Sequence, residues 1–493
     1  MLTKPRSLLI VGGGTAGWMT ANLLLQAWPE TRVTLVESAD IGIIGVGEGA
    51  TPFLKQYFNQ LDIAESEWMP ACDATYKVGI SFENWSGVAG SDRYFHPFYS
   101  VLDQPPAELF FHNCGLRRRG FDAPANPNDF FVAAQLAKHN LSPIASVSQS
   151  MDYAYHFDSV KLGQFLRDKA KQKGLIHIVD NVSEVQVANN GDIKQLSCEK
   201  HGLLSADFFI DCTGFSAHLI NKALKREYLS YADTLFNDAA VAIQTPYEQE
   251  HIVSNQTRSI ALNNGWMWNI PLTSRQGNGY VYSQAHISAD QAEIELREKL
   301  QLKDNADVSA KHLKMRIGRL QEHWHANCLA VGLSQGFIEP LEATALMLTQ
   351  FTVERFIACF TPHKTTTKKV KNDFNQQLNT TFDGIRDYIV AHYQLTQRED
   401  TVYWRDNKYN KVTPDILSAI VQAWDNGQDV EKVLDLYQDQ LVYLRPSWYC
   451  ILAGMGRFPV DLKTTSKAAD VQQSIDYCQK MATQYFLKKT CYS

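Results

Sequence analysis

Ser7-Leu8-Leu9-Ile10-Val11-Gly12-Gly13-Gly14-Thr15-Ala16-Gly17 is the run whose reading decides the fold. Its apolar stretch is short and stops at glycine, as a parallel strand buried on both faces does. A second apolar run extends from Gly17 to Ala27 and reads as a helix. Between them Gly12, Gly14 and Gly17 give the pattern G-x-G-x-x-G, with Thr15 and Ala16 opening the helix. Such glycines allow a tight turn, close approach of backbone to a pyrophosphate, and packing of helix on strand, while the helix N-terminus offers amides and positive dipole to the phosphates. Arg32-Val33-Thr34-Leu35-Val36-Glu37 reads as the next strand, and Glu37 lies 20 residues past Gly17, where an acid binds a ribose hydroxyl. Strand, turn, helix and acid in this order predict an α/β module that binds an adenine dinucleotide. They do not by themselves separate FAD from NAD.

Two later segments favour the flavin. Gly42 to Pro52 forms a second glycine-rich loop that includes Gly47, Gly49 and Ala50, and Asp207 to Gly214 is a strand that ends in a small-residue turn at Asp211 and Gly214. A third strand end falls at Gly332. An extended FAD needs remote loops to complete its site, whereas ordinary glycine turns account for each loop taken singly.

The whole chain bounds the partners. Its 493 residues exceed what one hydrophobic core usually spans, so two or more regions are expected. A net charge of −6 gives no footprint for nucleic acid or anionic membrane, and the basic clusters at Arg117-Arg118-Arg119 and Lys364 to Lys371 read as solvated faces. Nine cysteines without a C-x-x-C imply reduced thiols, no metal site and a cytoplasmic home. No signal peptide precedes the first strand, and no apolar stretch approaches membrane-spanning length. Helical spacing dominates the back of the chain at Phe374 to Tyr393, Pro414 to Trp424 and Asp429 to Leu444, after a polar stretch near 361 to 373 that marks an expected boundary. The expected regions are therefore 1–360 and 361–493. Strands in the middle are expected at Tyr76 to Phe82, Val241 to Thr245, Gly265 to Leu272 and Gly279 to Ser283.

Three of these segments carry candidate chemistry. In Gly265-Trp266-Met267-Trp268-Asn269-Ile270-Pro271 strand alternation puts Trp266 and Trp268 on one face, and Pro271 ends the run. In Tyr76 to Phe82 the apolar face is Tyr76, Val78, Ile80 and Phe82, so Lys77 is expected opposite, beside Gly79 and Ser81. In Val331 to Ala345 the sequence Pro340-Leu341-Glu342 sits where a long helix to about Phe360 would begin, and amides at Thr344 and Ala345 would make a small anion site. Core tryptophans, a surface lysine and a plain helix start are the bland alternatives.

These residues resemble the flavin-dependent halogenases of the tryptophan-halogenase type. The likeness rests on Gly12 to Trp18, Gly45 to Gly49, the lysine in Thr75-Tyr76-Lys77-Val78-Gly79, His96-Pro97-Phe98, Gly265 to Pro271, Asp211 to Phe215 and Gly336 to Thr344, and extends through Tyr403-Trp404-Arg405 and Ser447-Trp448-Tyr449. Flavin hydroxylases share the fingerprint but lack the lysine and W-x-W-x-I-P. The resemblance implies an FAD-binding Rossmann-like module of the flavin monooxygenase type, with an inserted β-sheet substrate region and a mainly helical C-terminal region that covers the substrate. It implies FADH2 from a separate flavin reductase, oxidation of chloride or bromide to hypohalous acid, and delivery by Lys77 to an electron-rich ring, with Glu342 as the second catalytic residue and Thr344 and Ala345 at the halide. Trp266 and Trp268 would keep substrate from flavin, and His96, Phe98 and Trp448 would meet the ring. The family admits a homodimer.

The chain departs from the family where Glu-Ser-Thr-Gly is replaced by Glu342-Ala343-Thr344-Ala345, and the segment that clamps the amino and carboxylate groups of tryptophan has no match. Indole or a larger indole-bearing compound is therefore the expected substrate. A flavin-dependent hydroxylase or reductase, and a non-catalytic flavin-binding protein, are the alternatives open at this point.

Overall fold

The computed structural model describes residues 2–40, 45, 47–145, 151–247, 252–302, 308–361, 367–409, 411–460 and 471–488. Parts of the Gly42 to Pro52 loop and of the 361–373 stretch lie outside them. The chain gathers into two compact units. The first comprises Met1–Ala74, Phe157–Ala232 and Met315–Phe382, and the second Thr75–His156, Asp233–Lys314 and Asp383–Ser493. This division differs from the regions expected to meet at 361, because the inserted segments cluster with the C-terminal helices rather than with the dinucleotide module. The helix Thr367–Gln394 begins within the polar stretch near 361 to 373 that marked the expected boundary.

The first unit is built on a six-stranded sheet in the order Trp324–His325, Cys328–Ala330, Phe208–Asp211, Ser7–Val11, Arg32–Glu37, Ile176–Val179. All neighbours are parallel except the hairpin Trp324–His325 with Cys328–Ala330. Leu8, Leu9 and Ile10 are buried, as a central parallel strand requires. The helix Thr15–Ala27 packs against Ser159–Gln172 and Ala345–Ala358. Asn22, buried in that contact, donates to the Leu166 carbonyl at 2.9 Å and ties the two helices together.

The second unit holds a seven-stranded sheet in the order Ala310–Lys314, Ala239–Thr245, Gln276–Tyr282, Gly265–Pro271, Thr257–Ala261, Gly79–Glu83, Arg93–Pro97. Helices Gln104–Arg118, Val132–His139 and Ala289–Lys299 accompany it, as do Asp415–Asp425, Val430–Leu436 and Arg445–Gly454. The helix expected from Asp429 to Leu444 is shorter than its apolar spacing suggests, since Val430–Leu436 gives way to turns. Arg118 corrects the expectation of a solvated basic face. It is buried, and its guanidinium donates to the carbonyls of Ala423, Trp424 and Gln428 at 2.6 to 2.8 Å, bracing the turn that ends helix Asp415–Asp425.

Candidate functional site

The dinucleotide turn shows why each glycine is there. Gly12 has φ +112°, and a Cβ on it would lie 2.2 Å from the Cys212 carbonyl oxygen. A Cβ on Gly17 would lie 2.0 Å from the Gly12 oxygen, and one on Gly332, at φ +71°, 2.6 Å from the Ala16 Cβ. These three are demanded by the protein itself. Gly14 differs, because nothing lies within 4 Å of where its Cβ would stand. It is the N-cap of helix Thr15–Ala27 and has no side-chain cap, so the first-turn amides, orphaned by geometry, face that open space. This cradle fits the pyrophosphate of FAD. Gly13, the unrestricted position of the pattern, is also fixed here: Glu37 folds its carboxylate against it and takes a hydrogen bond from His177 Nε2 at 2.8 Å.

Asp211 behaves differently from a ligand-facing acid. It is buried, and its two oxygens accept from the Thr213 amide and hydroxyl and from the Leu219 and Ile220 amides at 2.6 to 3.0 Å. Its carboxylate shapes the turn at Gly214 from within. Glu48, between Gly47 and Gly49, is an acid the sequence reading passed over. Burial pushes its carboxyl up to about 7, against a hydrogen bond from Ser159, and the nearby negative Asp158 adds to the rise. The signal was available, as an acid in an otherwise small and apolar loop.

Farther along the first unit, Pro340–Glu342 forms a single 3₁₀ turn, Ala343 takes the left-handed region at φ 56°, and the α-helix begins only at Ala345. The expected long helix thus starts after Glu342, not before it. Glu342 is buried, Thr344 is the N-cap without a side-chain cap bond, and the first-turn amides from Ala345 onward have no acceptor inside the helix.

In the second unit the strand expected over Tyr76 to Phe82 is two strands. Thr75–Lys77 pairs antiparallel with Ala154–Phe157, Lys77 opposite Ala154, while Gly79–Glu83 belongs to the seven-stranded sheet. Val78 breaks the run, giving its N–H to the Asn255 carbonyl at 2.8 Å. Both faces are buried, so the alternation does not mark an inside and an outside: Lys77 is 1% exposed, and its ammonium lies 5.5 Å from the centroid of the Phe98 ring. A surface lysine is excluded. Desolvating an ammonium is costly, and an aromatic face returns part of that cost.

Gly265–Pro271 is a central strand, flanked by Thr257–Ala261 and Gln276–Tyr282. Trp266 and Trp268 share a face with ring centroids 6.2 Å apart, and Trp85 extends the wall at 6.5 Å from Trp266. The Trp268 ring lies over Gly279, its cross-strand partner, where a Cβ would approach the ring to 2.0 Å. Its indole N–H is buried and meets no acceptor among the described residues. His96 and Trp448 meet around Tyr388: His96 Nε2 is 2.9 Å from the Ser447 hydroxyl, Trp448 stands edge-on to Tyr388 at 5.0 Å, and Tyr388 stacks on Tyr443 at 3.8 Å. Tyr388 and Tyr443 escaped the sequence reading because each lies within a helix-period apolar pattern that looks like core.

A sheet of mostly parallel strands with a cofactor-ready glycine cradle in one unit, and a buried lysine and a paired-indole strand in the other, point to the class of flavin-dependent oxidative enzymes. Residues 7–471 match the tryptophan halogenase family, and the chain belongs to it. The 7-chloro-L-tryptophan 6-halogenase KtzR of Kutzneria sp. (strain 744) is 38% identical over 94% of this chain and 92% of its own. The structure of the tryptophan 6-halogenase SttH from Streptomyces toxytricini is 36% identical with a TM-score of 0.85, covering 99% of both chains. That of BrvH, a flavin-dependent halogenase from Brevundimonas sp. BAL3, is 31% identical with a TM-score of 0.84, covering 98% of this chain and 97% of the other. The protein is a flavin-dependent halogenase of α/β fold that uses FADH2 and halide, and the hydroxylase and binding-protein alternatives give way to that membership. No helix among the described residues is long and apolar enough to cross a membrane.

Proposed function

We propose that this halogenase acts on indole or an indole-bearing compound, with Lys77 delivering the halogen, Glu342 as the second catalytic residue, and Thr344 and Ala345 at the halide. The observation that carries this reading is the buried Lys77 ammonium beside the Phe98 ring. Gly12, Gly14, Thr15, Ala16, Gly17, Glu37, Gly47, Gly49, Ala50, Gly214 and Gly332 would hold FAD, with Asp211 acting through the turn it shapes. FADH2, when bound, supplies the electrons that activate oxygen toward halide. Lys77 holds hypohalous acid by hydrogen bonding, or its neutral amine takes the halogen as the oxygen–halogen bond breaks, the hydroxide leaving with an amine proton as water. Trp266 and Trp268 shield substrate from flavin, and His96, Phe98 and Trp448 contact the ring.

The C-terminal segment supports a substrate without tryptophan's charged groups. Among its cations, Arg445 is engaged by Glu431 at 2.7 Å and Glu108 at 3.2 Å, and lies over the Phe111 ring. Leu444 is 72% exposed. Neither offers a clamp for a zwitterion. We place the enzyme in the cytoplasm with a separate reductase, the helical region 361–493 on the substrate side, and a homodimer as its assembly. The deciding experiment supplies reduced FAD, oxygen and bromide with indole, free tryptophan and an indole-bearing peptide in competition. Brominated indole or peptide ahead of tryptophan supports the reading; preference for free tryptophan overturns it.

A further inference from the structure

The strand that carries Lys77 has only three residues, Thr75–Lys77, and hydrogen-bonds to no strand of the seven-stranded sheet. Something else must set the lysine's position against that sheet. On its C-terminal side the fastening is Val78, whose N–H goes to the Asn255 carbonyl at 2.8 Å and whose carbonyl accepts from the Phe98 N–H at 3.3 Å. On its N-terminal side the fastening is an imidazole.

His156 is fully buried and lies directly opposite Thr75 in the antiparallel pair. Its Nδ1 is 3.0 Å from the Thr75 hydroxyl, and its Nε2 is 2.9 Å from the hydroxyl of Thr257, on the strand beside Gly79–Glu83. The Thr75 hydroxyl donates its one proton to the carbonyl of Pro271, 2.7 Å away, at the end of the paired-indole strand. That direction fixes one end of the ring: Thr75 must accept from His156, so Nδ1 carries a proton, while Nε2 meets the Thr257 hydroxyl. Thr75 and Lys77 are two residues apart on one strand and share a face. His156 and the Thr75 hydroxyl together therefore join the lysine strand, the Thr257 strand and the terminus of the tryptophan strand.

We propose that His156 is a positioning residue for halogenation, holding the Lys77 strand in register with the paired-indole strand through Thr75 and Thr257. This rests on Lys77 as the delivery group. The ring touches no reacting atom, so its loss disturbs delivery and not oxidant formation. Misplacing a reacting group by about 1 Å costs roughly 10²-fold in rate.

The test compares His156→Leu, His156→Asn, Thr75→Val and Lys77→Ala in the full-length enzyme with reduced FAD, bromide and indole. Leucine fills the space without hydrogen bonds, whereas the asparagine amide can donate to Thr75 from the position of Nδ1. His156→Leu and Thr75→Val should lower kcat about 10- to 10²-fold, with KM for indole, FAD affinity and FADH2 oxidation near wild type, and more hypobromous acid trapped in solution by a halogen-accepting dione. His156→Asn should recover most of the rate. A wild-type kcat in His156→Leu, or an Asn variant no better than Leu, would overturn the proposal. Should the His156 variants fail to bind FAD, Thr75→Val decides, and wild-type kcat there overturns it equally. Loss of rate in His156→Leu with full activity in Lys77→Ala would instead reject Lys77 as the delivery group.

Discussion

Lys77 is buried beside Phe98, and a cation placed there must be held by its surroundings or have a use that justifies the desolvation. Lys77→Ala is expected to abolish halogenation while FAD binding and hydrogen peroxide release persist; near-normal product from the purified variant would reject its role. Glu342→Gln should slow turnover by about 10²–10⁴-fold, the usual worth of positioned acid–base assistance, with little change in flavin affinity. An unchanged rate would leave Glu342 as a buried residue of its 3₁₀ turn. Glu48 makes a different kind of prediction. Its carboxyl keeps a proton up to about pH 7 in the folded protein, whereas in the unfolded chain it ionises near 4.5. Between these values the unfolded state binds fewer protons, so this group lowers stability as pH rises through the window. Glu48→Gln should therefore raise the melting temperature of the apoprotein more at pH 8 than at pH 5, and a pH-independent difference would show the carboxyl to be ordinarily solvated. Lys77 and Glu342 were legible as residues. Their burial was not, because period-two alternation at Tyr76 to Phe82 cannot reveal that both faces are covered or that Val78 breaks the strand.

At the scale of elements, the dinucleotide turn was fully legible, since its glycines answer to backbone geometry that sequence spacing encodes. The same turn divides its glycines by function. Gly12 and Gly17 are held by clashes with the protein's own atoms, as is Gly332 where it meets this turn at Ala16, and Gly14 by none. Gly17→Ala should lower apoprotein stability, because its methyl would drive into the Gly12 carbonyl. Gly14→Ala should leave the apoprotein's melting temperature near wild type and weaken FAD binding, measured by fluorescence titration. Equal destabilisation of both apoproteins would contradict this division. The helix start at Ala345 was misread by a few residues because Pro340 is a good first-turn residue for either a 3₁₀ or an α-helix, and only the left-handed Ala343 between them decides. The His156 links to Thr75 and Thr257 were illegible, since they join side chains brought together by strand pairing.

At the scale of the whole molecule, each unit is assembled from three separated stretches of chain. A linear reading sees an α/β front and a helical back, and cannot see that the inserted strands cluster with the helices past Asp383. What the linear reading does count is cofactor fingerprints, and the chain has one complete G-x-G-x-x-G between a strand and a helix. Its open cradle at Gly14 accommodates one pyrophosphate, that of FAD. A nicotinamide dinucleotide would need phosphate-binding amides of its own, so the proposed separate reductase is expected to supply FADH2 made elsewhere. The purified protein is thus expected to halogenate with chemically or photochemically reduced FAD in the absence of NAD(P)H, and to remain inactive with oxidised FAD plus NAD(P)H until a flavin reductase is added. Stopped-flow absorbance at the oxidised flavin band makes the check direct. Rapid bleaching by NADH or NADPH without reductase would mean that nicotinamide binds outside any Rossmann turn, and that the enzyme reduces its own flavin.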